Sequence, residues 1–341
     1  MKAAFFRYPR EVEIREIETP EPRRSEVLVR VLACGICGSD RSRFYEGKSE
    51  WERAGHEYAG VVEKAGPSAT RFKRGDLITG IGSIPCGECL NCRSGRPRYC
   101  ASPRSFGGGA FAELVCHEEV FCEEASGLSP EVASLVEPLT VAMELVEDGR
   151  VGLGSSVLLV GAGPIGLLAL RLCVLAGAAK VYVAHTSAGS ARAQLAREWG
   201  ASEVMVASGD GLVKAVRERE PAGVDAALLT VPPSRVLAEA IQCTRPGGII
   251  AFVGVEWEPT TRLKLPLDAF HFAKQSLIGS NHNPCRRLYP LGVELLRSKR
   301  VDGDRLISHR FGLEEIAAAF ELVGSRKSET LKAVVMPFGK G

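Results

Sequence analysis

Four cysteines that lie close together near residue 90 constrain the fold of this chain more than any other feature. They form the run Cys86-x2-Cys89-x2-Cys92-x7-Cys100. Four thiolates can close around one tetrahedral metal ion, and zinc binds such soft ligands at about 2.3 Å. A disulfide framework is the poorer interpretation, because no secretory leader opens the chain and a protein of this size builds its core without covalent links. The run therefore predicts a lobe at 84–102 that a structural zinc stabilises, with no open position for a substrate.

Size and charge exclude several classes of protein. A chain of 341 residues has room for two domains, each with its own core. Its net charge is +2 and its basic and acidic residues are interleaved, so we expect neither a nucleic-acid nor a membrane partner. The longest apolar run, 157–178, contains glycines, a proline and Arg171, which favours a buried strand and helix over a membrane span. Seven of the eleven cysteines lie outside the run without a framework spacing, which predicts a cytoplasmic protein.

The pattern of predicted strands and helices changes near residue 149. Before it, short strand patterns at 27–32, 59–63 and 112–116 are separated by glycine and proline turns, which predicts a small, irregular β domain. From 149 to 280, strand patterns alternate with helical ones, which predicts a doubly wound parallel sheet. The strands are expected at 157–160, 181–184, 204–206, 226–229, 249–253 and 276–278, and the helices at 164–176 and 191–199.

The tail from residue 281 contains two helical patterns, at 288–299 and 313–322, and a last strand at 332–336. One strand cannot form a sheet of its own, so we expect the tail to complete the first domain. The predicted fold is therefore α/β, with one domain at 1–148 and 281–341 and a second at 149–280.

A glycine-rich turn follows the first strand of the second domain. In turns that bind dinucleotides, the glycines allow a tight turn, close approach of the pyrophosphate and close packing of helix on strand. A purely structural turn is the alternative, but the position between a strand and a helix favours phosphate binding. The predicted cofactor contacts are in this turn and at the ends of two later strands, at Gly161, Gly163, Pro164, Ile165, Gly166, Thr230 and Val253.

The residues after the second strand indicate which cofactor binds. An acidic residue there would bind the ribose 2′-hydroxyl of NAD. The segment 185–192 contains no carboxylate and instead offers polar and basic side chains. Ser190 is the expected N-cap of the next helix. The segment therefore favours NADP over NAD, with a 2′-phosphate bound among His185, Thr186, Ser187 and Arg192.

Four other residues are candidates for a second metal site with an open position. Cys37 lies among glycines, and His56 and Glu57 directly precede a predicted strand. Glu137 lies in an apolar stretch, where a carboxylate needs a strong partner. Each has a simpler interpretation: a buried small residue for Cys37, a hydrogen-bonded turn residue for His56 and a helix-terminal charge for Glu137. Together they supply sulfur, nitrogen and oxygen ligands and leave room for water or a substrate.

Several segments make the chain resemble the zinc-containing medium-chain dehydrogenase/reductase family over essentially its whole length. They are Cys-Gly-Ile-Cys-Gly-Ser-Asp (34–40), Gly-His-Glu-x-x-Gly (55–60), the four-cysteine run, Glu-Pro-Leu (137–139) and the glycine turn. The resemblance implies a GroES-like β-rich catalytic domain, a Rossmann domain and an active site in the cleft between them. The Glu-Pro pair is similar to the branch of sorbitol, polyol and sugar dehydrogenases.

The resemblance also implies roles for the candidate residues. Cys37 and His56 are the firm ligands of a catalytic zinc, and Glu57 and Glu137 coordinate it directly or through water at different stages of turnover. Ser39 accepts the proton of the substrate hydroxyl, while hydride passes to the nicotinamide. The implied enzyme acts on a secondary hydroxyl of a polyol, sugar or cyclitol with NAD(P), and relatives are commonly homodimers or homotetramers.

Two departures from the family pattern leave the substrate open. Ser42 stands where many relatives have a histidine of the proton relay, and the segment between Cys37 and His56 looks short. The segment 281–283 (Asn-His-Asn) is a candidate for binding substrate hydroxyls, or else a polar turn. A non-sugar alcohol or an amino-acid hydroxyl is therefore an alternative substrate. A non-catalytic nucleotide or zinc sensor is an alternative function on the same fold.

Overall fold

Two compact units make up the chain. The computed structural model describes residues 1–47, 49–106, 108–255, 262, 265, 267–280, 286–325 and 330–339. The first unit comprises Met1–Thr140 and Asn283–Gly341, and the second comprises Val141–His282. Among the described residues, none of the helices combines the length and the apolar character needed to cross a membrane.

The N-terminal part of the first unit is mainly β-structure, as its short alternating patterns predict. Its strands are Lys2–Arg7 (β1), Glu11–Glu16 (β2), Glu26–Gly35 (β3), Glu52–Arg53 (β4), Glu57–Ala65 (β5), Leu77–Gly80 (β6), Ser83–Ile84 (β7), Arg104–Ser105 (β8), Leu114–Glu118 (β9) and Cys122–Glu124 (β10). The helices that follow or interrupt them are Gly38–Glu46 (α1), Leu90–Arg93 (α2), Pro130–Ala133 (α3) and Val136–Asp148 (α4), the last of which belongs to the second unit from Val141 onward.

The second unit is a parallel sheet with helices between its strands, which confirms the predicted α/β class. Along the described sheet the strand order is β13-β12-β11-β14-β15-β16, and every pair of neighbouring strands is parallel. The strands are Ser156–Val160 (β11), Lys180–Ala184 (β12), Glu203–Met205 (β13), Val224–Leu229 (β14), Thr244–Phe252 (β15) and Ser276–Gly279 (β16). The helices are Pro164–Leu175 (α5), Ala191–Glu198 (α6), Asp210–Arg219 (α7), Leu237–Cys243 (α8) and Leu267–Phe272 (α9).

The tail adds two strands to the main sheet of the first unit. Its elements are Tyr289–Arg297 (α10), Gly303–Leu306 (α11), Ile307–Gly312 (β17), Ile316–Gly324 (α12) and Lys332–Met336 (β18). The helix α12 begins later than the predicted 313 because residues 313–315 form a 3-10 turn. The strand β18 pairs with β3 through Val334 and Gly35, in the sheet order β10-β6-β5-β3-β18-β17.

Four phenylalanines fix the helix α1 against the core of the first unit. The ring of Phe44, on α1, lies 6.4 Å from that of Phe6 on β1 and 5.2 Å from that of Phe320 on α12. Phe111 packs on both Phe6 and Phe320, and all four side chains are buried. Burial of aromatic side chains is the main stabilising term in such a cluster. The cluster therefore holds α1, which begins directly after Cys37, in one position.

The core of the first unit also contains a histidine that burial keeps neutral. His117, on β9, is 1% exposed, and its ring stacks on Phe106 with centroids 4.7 Å apart. Its Nδ1 lies 2.6 Å from the hydroxyl oxygen of Tyr58. Burial, followed by the charge of Arg104, lowers the pKa of His117 to about 3.

We expect the protein to lose stability as the pH falls below 6.5. The pKa of His117 is lower in the folded chain than its ordinary value of 6.5, so the unfolded state binds more protons between pH 6.5 and about 3. The contribution is complete above pH 6.5 and falls by up to about 1.4 kcal/mol per pH unit below it. Urea unfolding at a series of pH values measures this slope. His117→Phe should flatten the slope and His309→Gln should keep it, whereas equal slopes in all three proteins would contradict the assignment.

Candidate metal and nucleotide sites

Cys37 presents an accessible thiol at the start of α1. It is the N-cap residue of that helix, and its backbone amide donates a hydrogen bond to Oδ2 of Asp40 (3.1 Å). A side chain on Gly38 would meet no other group within 4 Å, so the neighbouring position leaves space around the sulfur. Cys37 is half-buried, whereas Cys34 in the same segment is fully buried. Cys37 is thus the cysteine of this segment that can bind a ligand.

The carboxylate of Asp40 also orients His56. The Nδ1 atom of His56 lies 3.5 Å from Oδ1 of Asp40, which accepts a hydrogen bond from the amide of Gly55 (3.2 Å). Burial opposes ionisation of Asp40, but His56 and the Cys37 amide bring its pKa below the ordinary value. Burial also opposes the charged form of His56 and would lower its pKa. The charges of Asp40 and Cys37 instead raise the pKa of His56 well above its ordinary value. Asp40 therefore links the two candidate ligands, as carboxylates behind metal-binding histidines do.

Glu57 and Lys332 form an ion pair in the interior of the first unit. Their side chains are 1% and 2% exposed. The Nζ atom of Lys332 also donates a hydrogen bond to the carbonyl oxygen of Ile36 (3.0 Å). Burial would lower the pKa of Lys332, but the charges of Glu57 and Cys37 raise it, so the ammonium keeps its proton. The fold thus places a permanent cation beside a candidate metal ligand.

Three of the four predicted ligands lie together. One ligand atom from each of Cys37, His56 and Glu57 lies within 4.8 Å of the other two. Among the described residues Glu137 does not join this group, although it is buried in the first turn of α4 and its charge raises the pKa of Lys332. A set of sulfur, imidazole nitrogen and carboxylate oxygen suits zinc with an open position. The direct binding of Glu137 stays a prediction.

Three residues with hydroxyl side chains lie on the helices α1 and α4, which also carry or follow candidate ligands. Ser39 is half-buried in the first turn of α1, two residues after Cys37, and its part in proton transfer stays a prediction. Ser42, at the position of the family's relay histidine, is buried. Thr140 is fully buried and donates a hydrogen bond to the carbonyl oxygen of Glu137 (2.8 Å). Thr140 therefore has a role inside α4.

The four cysteines of the predicted lobe have the geometry of a metal site. Their sulfur atoms lie within 4.8 Å of one another, and Cys86 and Cys92 are 4.0 Å apart at sulfur. Tetrahedral bonds of 2.3 Å to zinc separate two sulfurs by about 3.8 Å, whereas a disulfide separates them by about 2.0 Å. Backbone amides also donate to the sulfurs, and such bonds, first from Ala101, lower the pKa of Cys89 to about 6. The lobe therefore suits four thiolates around zinc.

The glycine turn of the second unit leaves its backbone open. Gly161 has φ of +105°, a conformation that favours glycine. A side chain on Gly163, the N-cap of α5, would meet nothing within 4 Å, so a phosphate can approach the helix N-terminus there. The hydroxyl of Thr230 donates to the carbonyl oxygens of Val160 and Gly161 (3.1 and 3.2 Å), which fixes the turn. The turn fits a pyrophosphate.

Two basic side chains lie in the segment that follows β12. His185 and Arg192 are both half-buried, and burial, then the charge of Arg192, lowers the pKa of His185. Ser190 caps α6 as predicted, since its hydroxyl accepts a hydrogen bond from the amide of Ala193 (3.1 Å). The hydroxyl of Ser190 also lies 2.9 Å from Nε2 of His185. Two partly desolvated basic groups in one place suit an anion such as a ribose 2′-phosphate.

The remaining predicted residues divide into three groups. Thr186 is exposed and Ser187 half-buried in the loop before α6, while Val253 is half-buried just after β15. The segment 281–283 lies outside the described residues.

Two residues that interact with the candidate ligands were not predicted, namely Asp40 and Lys332. The signals for them were an acidic residue three positions after Cys37 and a lysine in an otherwise apolar last strand.

Two family models match parts of this chain. The family model of the alcohol dehydrogenase GroES-like domain matches residues 23–126. The model of the zinc-binding dehydrogenase matches residues 164–297. The chain belongs to the zinc-containing medium-chain dehydrogenase/reductase family. It is an oxidoreductase of that family, with a GroES-like and a Rossmann-like domain.

Two curated relatives and one solved structure illustrate the similarity. The chain is 30% identical to sorbitol dehydrogenase of Bacillus subtilis (strain 168), over 99% of this chain and 97% of the relative. It is 32% identical to L-threonine 3-dehydrogenase of Pyrococcus horikoshii, over 95% of this chain and 94% of the relative. A solved structure of a zinc-binding dehydrogenase from Sinorhizobium meliloti 1021, bound to NADP, has a TM-score of 0.88 and 28% identity, and the match covers 98% of this chain and 99% of that one.

Proposed function

We propose that the protein transfers hydride between a secondary hydroxyl of a polyol, sugar or cyclitol and a nicotinamide cofactor. The observation that carries this proposal is the grouping of ligand atoms from Cys37, His56 and Glu57 within 4.8 Å of one another. Such a mixed set leaves a position for a substrate oxygen. Similarity to sorbitol dehydrogenase and the Glu137-Pro138 pair support the polyol class.

Different residues of the first unit would bind the metal, orient a ligand and transfer the proton. Cys37 and His56 would hold zinc, with Glu57 and Glu137 nearby as further acidic ligands, and zinc would act as a Lewis acid on the substrate oxygen. Asp40 would keep His56 in one orientation through Nδ1. Ser39, in the first turn of α1, would accept the hydroxyl proton and pass it on. A hydroxyl can act in this way because it both donates and accepts hydrogen bonds.

Nicotinamide absorbance tests the substrate class. Purified protein is supplied with NADP or NAD and with polyols, sugars, cyclitols, L-threonine and simple alcohols. Turnover of polyhydroxylated compounds supports the proposal. Turnover of L-threonine alone would establish the second candidate, an amino-acid hydroxyl, which the similarity to L-threonine 3-dehydrogenases favours. Turnover of simple alcohols alone would contradict the polyol class.

We further propose NADP as the preferred cofactor. His185 and Arg192 are partly desolvated basic groups after β12. The segment 185–192 carries no carboxylate that would repel a 2′-phosphate. An NADP-bound relative with a TM-score of 0.88 supports the same preference.

Arg192→Ala should raise the KM for NADP by about 10- to 100-fold and leave the KM for NAD nearly unchanged. A hydrogen bond between charged groups contributes about 1.5–3 kcal/mol, and each 1.4 kcal/mol is a factor of ten. Steady-state kinetics with both cofactors measures the difference. The matched control is Arg197→Ala on the same helix, whose guanidinium donates to the carbonyl oxygen of Ala188 (3.0 Å). An equal loss with NADP and NAD would contradict a phosphate site at Arg192.

We also propose a cytoplasmic homo-oligomer. The thiols of the described residues are free of disulfides, as expected in a reducing compartment. In the described sheet of the second unit, β16 is an edge strand, and Leu277 on it is 38% exposed. Phe272, at the end of the preceding helix α9, is 81% exposed. An open apolar edge is a place where a second copy can pair. Light scattering of the purified protein gives the subunit number.

A further inference from the structure

A histidine follows β12 at the position where an acidic residue would bind the ribose of NAD. His185 comes directly after Lys180–Ala184, and its backbone amide donates a hydrogen bond to the carbonyl oxygen of Met205 on β13 (3.0 Å). A carboxylate at this position accepts a hydrogen bond from the ribose 2′-hydroxyl. His185 therefore lies where the chain distinguishes a 2′-hydroxyl from a 2′-phosphate.

The hydroxyl of Ser190 determines which ring nitrogen of His185 carries hydrogen. The one hydrogen of this hydroxyl is donated to the carbonyl oxygen of Ser187 (3.1 Å), and the oxygen accepts from the amide of Ala193 (3.1 Å). The Nε2 atom of His185 lies 2.9 Å from the same oxygen. Because the hydroxyl hydrogen is already used, Nε2 must be the donor in this contact. Neutral His185 thus has its hydrogen on Nε2 and a lone pair on Nδ1.

The Nδ1 atom of His185 is the ring nitrogen left for a ligand. It has no hydrogen-bond partner within the part of the chain that the structure describes, and the side chain is half-buried. In the neutral ring Nδ1 can only accept, so it suits a 2′-hydroxyl but offers nothing to the acceptor oxygens of a phosphate. Protonation places a hydrogen on Nδ1 and makes it a charged donor to a phosphate. The two cofactors therefore require different protonation states of one side chain.

The charge of Arg192 acts on His185 from the helix α6. Burial, and then this charge, lowers the pKa of His185 below its ordinary value of 6.5. The other charged or titratable side chains of β12, β13 and α6 have partners elsewhere: Lys180 and Tyr182 with Glu220, Glu203 with Arg219, Arg197 with the carbonyl oxygen of Ala188, and Glu198 with Gln194. The glycine turn 161–166 and the segment 206–209 contain no titratable residue, and the charged residue of α5 is Arg171, two turns further on. His185 is therefore mainly neutral near pH 7 when no cofactor is bound.

We propose that the protonation state of His185 adjusts the choice of cofactor, with the neutral ring accepting from the 2′-hydroxyl of NAD and the protonated ring donating to the 2′-phosphate of NADP. Binding of NADP then takes up a proton at Nδ1, whereas binding of NAD takes up none. Arg192 stays charged at every pH and supplies the constant part of the preference for NADP. The inference rests on the proposed function, because it requires a nicotinamide cofactor with its adenine ribose at the end of β12.

The preference for NADP should weaken as the pH rises. A phosphate beside the ring favours the charged form, so the pKa of His185 is higher in the NADP complex than in the free protein. NADP affinity is therefore highest below the pKa of the free protein, which is under 6.5. It falls by up to about tenfold per pH unit until the pH passes the pKa of the complex. Over that range NAD affinity should stay nearly constant, because His185 is neutral with and without NAD.

Isothermal titration calorimetry with NADP and with NAD, in the absence of substrate, measures this dependence from about pH 6 to about pH 9. In the parent protein the preference for NADP over NAD should fall by about 10- to 100-fold across the range, which corresponds to a pKa difference of about one to two units. His185→Gln should make the preference nearly independent of pH above about pH 7, since an amide donates and accepts without titrating. The matched control is His271→Gln, at an exposed histidine on α9, which should behave like the parent.

Two further measurements separate this role from a general effect of charge. Calorimetry in buffers of different ionisation enthalpy counts protons, and near pH 7 the parent should take up close to one proton with NADP, none with NAD, and His185→Gln none with either. The 2′-phosphate, with a pKa of about 6, can only release a proton when it binds among cations, so its contribution has the opposite sign. His185→Ala should weaken NAD binding by about two- to tenfold near pH 8, because the 2′-hydroxyl loses its acceptor.

The results distinguish failure of this inference from failure of the proposed function. The same pH dependence in the parent and in His185→Gln would overturn the inference, and so would NADP binding without proton uptake, while hydride transfer would stand. Binding of neither cofactor would overturn both proposals. The expected proton count without turnover of any substrate would contradict hydride transfer alone. If His185→Gln does not fold, the proton counts of the parent and of His271→Gln still decide the question.

Discussion

Replacing Cys37 by alanine should lower turnover by at least about a thousandfold and leave the fold intact. The change removes a sulfur ligand from the group formed with His56 and Glu57, and a metal that activates a substrate oxygen contributes several kcal/mol to catalysis. A loss of about 4 kcal/mol is a factor of about a thousand in rate. The fold should survive because Cys37 is half-buried and its contact with Asp40 is made by its backbone amide.

Metal analysis and kinetics on the same sample check this expectation. The variant should lose about one equivalent of zinc and keep the metal of the cysteine lobe. Cys34→Ala is the matched control, because Cys34 lies in the same segment but is buried, and burial raises its pKa well above the ordinary value. Cys34→Ala should keep both zinc and turnover. Full turnover in Cys37→Ala would contradict the candidate catalytic site.

Replacing Cys89 by serine should unfold the lobe and leave the metal at Cys37 bound. The lobe holds few residues of its own in the core, so a closed four-thiolate site supplies most of its stability. Without zinc, the chain between Cys86 and Cys100 should become a flexible loop. Arg93 and Arg98 in this loop should then become sites for trypsin, whereas the bond after Arg96 stays uncut because Pro97 follows it. We expect the half-life of the segment under limited trypsin digestion to fall by at least about tenfold, as local opening becomes easy.

Peptide mapping of the digest locates the cuts. Cys116→Ser is the control, since burial raises the pKa of Cys116 to about 11 and this cysteine lies outside the candidate metal groups of the described residues. It should keep the lobe resistant to trypsin. A resistant lobe in Cys89→Ser would contradict a structural zinc there.

The local parts of this architecture could be predicted from sequence. The cysteine lobe depends on ligands only a few residues apart, and the glycine turn depends on a strand, a turn and a helix in direct succession. The parallel sheet followed from alternating strands and helices, and its predicted strands at 157–160 and 181–184 correspond to Ser156–Val160 and Lys180–Ala184. For the lobe and the turn the physical cause lies within one short segment, and for the sheet it lies in a local pattern that repeats along the chain.

Contacts between distant segments could not be predicted in the same way. Lys332 and Ile36, which share a hydrogen bond, are 296 residues apart. The sequence alone places Asp40 only near the start of a helix. Its contact with His56 becomes visible only in the folded structure. Thr230 was predicted to contact the cofactor, a role that stays a prediction, and its hydroxyl bonds to the turn itself. Side-chain partners of this kind are decided by strand pairing and packing, which local patterns do not specify.

Transfer of deuterium from substrate to cofactor is the decisive test of hydride transfer by this protein. A polyol that carries deuterium on its secondary carbinol carbons is incubated with the protein and NADP, and the reduced cofactor is analysed by mass spectrometry. Hydride transfer predicts that one deuterium appears on the nicotinamide ring, because the hydride moves directly from carbon to cofactor. Reduced cofactor without deuterium, or oxidation of the polyol without reduced cofactor, would contradict the account.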